Sequence, residues 1–318
     1  MDINNKIRIV HLFNKEGSES GTNLVLISFA MGVLQASLIA VINSASGTAD
    51  YGFLNFRNFA LFIIIILLFV LCFKHLQTKS FLIGEKIAHK IRCRLSNKLR
   101  KCSFQELEKI NSSDIFMVFT NDTNTIAQSF PILFMIIQGI VVVIFSLIYI
   151  AVLSRPAFFV SLCSISIGMV FYLKQAKDID IASQASTKFQ GKVFDMISDI
   201  IHGFKELKIN QNKNDELYKD LVSNSEKVKD IKVNAVLPIV RVSLFANIFF
   251  YMLIAIVVFV LPNLISEFSD NLPKLTAALL FIVPPLTNVG GSIPVFANSN
   301  NAIDKVYSLE KKLDKIQE

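Results

Sequence analysis

The chain has 318 residues, 53% of them apolar, with 28 Phe and a formal charge of +7. Soluble domains reach about 45–50% apolar only with glycine included. Here the excess is gathered in blocks of about 20 residues, the length that crosses a ~30 Å hydrocarbon core as a helix, which excludes a soluble globular domain and predicts several membrane crossings.

Residues 1–22 are polar and carry no secretory leader pattern. The first apolar block is Asn23–Asn43, and a short segment, 44–58, leads to the second, Phe59–Leu76. The connection 77–129 has no Gly, Ser or Pro runs. Its apolar residues Ile87, Ile91, Leu95, Leu99, Leu107 and Ile110 fall mostly on a four-residue step, which predicts an amphipathic helix. Unbroken from Arg57 to Ile110, that helix would be ~80 Å long and project ~50 Å beyond the bilayer. The turn is expected in "NSSDIFMVFTND" (111–122). There Asn111, Ser112, Ser113 and Asp114 are good helix caps, and Ile115, Phe116, Met117 and Val118 form a short apolar group.

The third block, Phe130–Leu153, and the fourth, Ala157–Leu173, are separated only by "SRP". The second long connection, 174–241, repeats the hairpin pattern. Apolar residues descend through Phe189, Val193, Met196, Ile200, Phe204 and Leu207 and return through Leu217, Leu221, Val228, Ile231 and Ala235, with the turn in "GFKELKINQN" (203–212). An apolar group exposed so far from the membrane calls for a partner to cover it, unless the two tips pack on each other. The last blocks are Val242–Ile265 and Leu272–Phe296. Pro284, Pro285, Gly290, Gly291 and Pro294 interrupt the sixth, and each proline removes an i→i−4 hydrogen bond. The segment reads either as a static kink or as a hinge and cavity wall.

Six crossings place both termini on one side. Of the 32 Lys and Arg residues, only Arg57, Arg155 and Lys274 lie in the short segments 44–58, 154–156 and 266–274. The other 29 lie in the N-terminal segment, 74–129, 174–241 and the C-terminal tail, so these are expected in the cytoplasm. The positive charge is therefore a topology signal and gives no reason to invoke nucleic acid. Cys72, Cys93, Cys102 and Cys163 form no C-x-x-C and have no His at metal-ligand spacing, so they read as reduced and structural, with no metal site. No Asp, Glu, Lys or Arg lies near mid-membrane, whereas Gln35, Gln138, Asn247 and Asn288 do lie in the blocks. Each of these four either faces a translocation cavity or bonds a neighbouring helix. Phe245, Phe249 and Phe281 are candidate cavity walls for an amphipathic substrate.

Six spans, short outer loops and two long inner helical hairpins resemble the transmembrane domain of an ABC exporter. "GFKELKIN", "FTNDTNTIAQSFP" and "FIVPPLTNVGGSIPVFANSNNAIDKVYSLEKKL" are similar to the branch that exports cyclic peptides and siderophores, the syringomycin, pyoverdine and microcin type. The resemblance covers essentially the whole chain. It implies an all-α membrane protein: a cytoplasmic segment 1–22, a six-helix domain 23–297 and a cytoplasmic linker helix 298–318. It implies that Ser113, Asp114, Ile115, Phe116, Met117 and Val118 form one coupling helix and Gly203, Phe204, Lys205, Glu206 and Leu207 the other. It further implies a bacterial inner-membrane location, pairing with a second copy or a homologous half-transporter, and export of an amphipathic or peptide-like substrate.

One departure is large. The chain has no G-x-x-x-x-G-K-[ST] and no LSGGQ-like signature, and "GEKIAHK" has the wrong glycine spacing. A nucleotide-binding domain is therefore expected to be absent. The chain itself is expected to bind no cofactor and to catalyse nothing, with ATP and Mg held by a partner domain. The alternative is a membrane scaffold that kept the exporter shape without transporting. An ion-coupled transporter is disfavoured, because its mark would be ionisable residues at mid-membrane.

Overall fold

The computed structural model describes residues 20–47, 56–102, 110, 112–209, 211–260, 262 and 272–315. Among these every regular element is helical. In chain order they are α1 (Ser20–Gly47), α2 (Phe56–Leu99), α3 (Ser112–Met117), a π turn (Val118–Asp122), α4 (Thr123–Leu153), α5 (Arg155–His202), α6 (Phe204–Ile209), α7 (Gln211–Ala255), a second π turn (Ile256–Val260) and α8 (Leu272–Lys315).

Local chemistry sets the boundaries. α2 stops at Leu99 instead of continuing to Ile110. Lys101 N and Cys102 N close its end by donating three residues back, to Lys98 O and Leu99 O, and Lys98 in the last turn favours the negative helix end. Ser154 is extended, and its hydroxyl accepts from Ala157 N at 3.4 Å to cap α5, with Pro156 in the first turn. The expected turn at "SRP" is thereby built from a cap and a proline. α8 stays helical through Pro284, Pro285 and Pro294 and crosses the expected boundary at 297–298 without a break. Within it the Thr287 and Ser292 hydroxyls donate back to Pro284 O and Val289 O.

Four helices are long and apolar enough to cross a membrane: Gly21–Ala45, Phe56–Leu99, Asp114–Leu153 and Leu272–Asp314. The other two expected spans appear as shorter apolar stretches among the described residues, Arg155–Val170 and Asn247–Val260. At 1.5 Å per residue these rise only ~24 and ~21 Å. Four of the six expected spans are thus met among the described residues, while the expected blocks Ala157–Leu173 and Val242–Ile265 run on into positions outside them. Leu61, Ile64, Leu67, Leu68 and Leu71 of α2 are all exposed, as befits side chains that would meet lipid.

α4 is the hub and packs on α1, α2 and α8. Small residues permit the approach. A Cβ on Gly32 would lie 2.6 Å from Val141 Cβ, and one on Gly84 2.3 Å from Ala127 O. Two apolar cores result. One joins Ile83, Ile87, Ile91 and Leu95 of α2 with Ile126, Phe130 and Phe134 of α4 and Ile303, Val306, Leu309 and Leu313 of α8. The other joins Ile39, Ile150 and Ala157 with Leu253 of α7, Val257 of the second π turn, and Leu275, Leu279 and Ile282 of α8. α5 and α7 pack chiefly along each other.

Gly84→Ala is expected to force α2 from α4 at a cost of about 1–3 kcal/mol and to lower the melting temperature in detergent by several degrees. At Gly291 an added Cβ meets nothing within 4 Å, so Gly291→Ala should leave the melt unchanged or raise it.

Candidate functional site

The turn between α2 and α4 has two faces. Ile115 packs against the first core, and Val118, three residues on, is buried in it. Asp114 is exposed, and Phe116 is 51% exposed. Ser113 lies in α3, but its side chain falls outside the described residues, and Met117 is half-buried. α2 holds the turn through Arg92, whose Nε donates to Phe119 O at 3.2 Å and to Thr123 Oγ1 at 3.0 Å. An open groove of about 430 Å³ beside this junction is lined by Arg92, Cys93, Ser96, Asn97, Arg100 and Phe119. Its two guanidiniums make the wall positive.

The turn between α5 and α7 is made by Gly203 (φ −87°, ψ 9°), whose N–H donates to Asp199 O at 2.8 Å. A Cβ here would lie 2.9 Å from that carbonyl, which is why glycine suits the position. Phe204 then stands 56% exposed, with the Lys208 ammonium 5.8 Å from its ring centroid. Lys205 is exposed, and the side chains of Glu206 and Leu207 fall outside the described residues. Both turns therefore turn a phenyl ring outward from a fixed backbone.

The candidate cavity residues do not share one fate. Gln138 Nε2 donates to Gln35 Oε1 at 2.9 Å, so these two join α4 to α1 directly. Phe245 and Phe249 stack with centroids 5.8 Å apart. Phe281 packs against the second core, Asn247 is half-buried and Asn288 is exposed. Of the hinge candidates, Pro284 and Gly291 are exposed, Gly290 is half-buried, and Pro285 is buried where it faces Gly139. All four cysteines are free thiols. No group of His, Cys, Asp or Glu able to hold a metal occurs among the described residues.

The sequence reading missed a set of ion pairs along the end of α8. Arg94 pairs with Glu310, and Lys98 Nζ lies 2.6 Å from Asp314 Oδ1. Lys305 Nζ lies 3.8 Å from Asp122 Oδ2, with the Asp122 side chain only 4% exposed. At that distance the pair is ionic without a hydrogen bond, and Oδ2 has no hydrogen-bond partner. Burial, only partly offset by Lys305, pushes the Asp122 carboxyl up to about 6. Asp122 lies outside the apolar stretch Phe130–Leu153. A signal existed: Val118, Asp122, Ile126, Phe130 and Phe134 follow a four-residue step, and all are buried. One carboxylate sits in an otherwise apolar stripe.

The Gln35–Gln138 bond is expected to couple α1 and α4 by about 0.6 kcal/mol, the average for such bonds in a membrane. A double-mutant cycle with Gln35→Ala and Gln138→Ala, read by unfolding in mixed micelles, measures it.

Comparison with known proteins gives one result. The family model for the ABC transporter transmembrane region matches residues 22–283, and the search of curated proteins returned no match. The matched region takes in nearly all of α1, every helix from α2 to α7 and the start of α8, so the chain belongs to the family of ABC transporter transmembrane regions.

Proposed function

We propose that the chain is the transmembrane part of an ATP-driven exporter. In this reading α5 and α7 complete a set of six crossings, both termini lie in the cytoplasm of a bacterial cell, and two such units pair to form one pathway. A nucleotide-binding domain docks on α3 and α6 and supplies the ATP chemistry with Mg. The cargo is amphipathic or peptide-like, moved outward past the apolar faces that carry Phe245, Phe249 and Phe281.

The observation that carries the reading is the pair of turns, each with an outward phenylalanine on an anchored short helix. Phe116 is presented by a turn whose other face, Ile115 and Val118, is set in the core. Arg92 fixes the same turn to α2. A push at Phe116 is therefore delivered to α2 and α4 together. Phe204 stands on α6, which packs on both α5 and α7. Helices of 44 to 48 residues are levers long enough to carry such displacements into a bilayer. Closure of the ATP-binding domains would rock the bundle between inward- and outward-facing forms.

The test is association with a nucleotide-binding domain in nanodiscs. Phe116→Ala or Phe204→Ala is expected to weaken it about thirtyfold, the size of an interface hot spot of ~2 kcal/mol. Melting of the chain should hardly change, since both rings are exposed. Full binding by the double variant rejects the docking role. Orientation is checked separately: an impermeant thiol reagent is expected to reach exposed Cys93 only after sealed cells are opened.

A further inference from the structure

We propose that Asp122 and Lys305 form an acid-sensitive tie between the turn that follows α2 and the end of α8. The geometry comes first. The π turn Val118–Asp122 continues the buried stripe of α4, so Asp122 faces inward where Val118 and Ile126 also face. From α8, Lys305 reaches it at 3.8 Å while remaining 39% exposed to water. The cation thus keeps most of its hydration, and the carboxylate loses nearly all of its own.

The charged groups around the pair come from three helices. Lys305 on α8 favours the carboxylate, and Asp114 on α3 opposes it. Arg92 on α2 is spent on Phe119 O and Thr123 Oγ1, three residues before Asp122 and one after it. Asn121, its chain neighbour, also favours the charge. Burial outweighs these, so protonation occurs near pH 6 instead of the ordinary 3.8. The folded chain therefore holds a proton that the unfolded chain has lost between those values. The contribution of this group to stability is present in acid and is lost as pH rises through about 6. At neutral pH the chain keeps a carboxylate that burial disfavours, and what it retains in return is the attraction for Lys305.

Neutral Asp122 gives up that attraction but also sheds the larger cost of a buried charge. The two pairs to α2, Arg94–Glu310 and Lys98–Asp314, involve partners on other surfaces. Because α8 packs on the π turn and takes part in that burial, the junction is tightest in acid and loosens as the carboxylate ionises, held then by Lys305. Because the turn carries Phe116, the tie also sets how firmly that ring is held relative to α8.

The test uses the full chain in nanodiscs, its four native cysteines replaced, with nitroxide labels at the exposed positions Asn124→Cys and Ser308→Cys. The label-to-label distance distribution should shift or broaden as pH rises, with a midpoint near pH 6. Asp122→Asn should show the acid form at every pH, and Asp122→Glu should keep a transition. An unchanged distribution between pH 5 and 8 overturns the proposal. So does a transition that survives in Asp122→Asn, which would belong to another group. If Asp122→Asn does not insert, Lys305→Met, which removes the attraction that partly offsets burial, should move the midpoint to higher pH, and an unmoved midpoint overturns the proposal.

Discussion

The architecture depends on how closely helix backbones can approach around α4. Inside a bilayer, apolar side chains gain nothing by leaving lipid for one another, so association rests on close packing and on the few polar bonds available. α4 meets three neighbours at three small residues: Gly32 of α1 lies against Gln138 and Val141, Gly84 of α2 against Ala127, and its own Gly139 against Pro285 of α8. At the first of these sites the short distance also brings Gln35 to Gln138. Even one extra methyl at Gly32 or Gly84 has nowhere to go, so the relative positions of α1, α2 and α4 follow from these sites.

Beyond the lipid the same helices pack by a different rule. α2, α4 and α8 continue into a segment where apolar stripes are buried together and charged side chains line the edges. Water supplies the driving force there. The two regimes meet within single unbroken helices, which is how events at the turns become mechanically continuous with the membrane part. α5 and α7 differ. Their outer faces stay exposed over long stretches, including Ile201, Val233, Val236 and Leu237, and their main support is each other.

Much of this was legible in the sequence. Apolar blocks of about 20 residues revealed α1, α2, α4 and α8, and the four-residue step identified the legs that extend from them. Both turns were visible because capping residues or a glycine stand beside a short apolar group. What was not legible required knowing how helices are rotated relative to one another. Gln35 and Gln138 are 103 positions apart, and nothing in either neighbourhood says that they face. Asp122 was overlooked because the turn was taken to end there, whereas the π turn carries α4's stripe back to Val118. Lys305 lies on a helix whose packed face, Ala302, Val306, Leu309 and Leu313, cannot be assigned a partner from the sequence of 298–318 alone.

The ion pairs between α2 and α8 share one spacing. Arg94 faces Glu310 and Lys98 faces Asp314, so the helices run parallel and each row repeats every four residues. Such a seam behaves like a vernier scale. Sliding α8 by one helical turn, ~5.4 Å, would bring one row's cation opposite the other's anion and keep a single matched pair, whereas a half-turn slip would match none. Axial travel along this seam therefore gives up at least one matched pair.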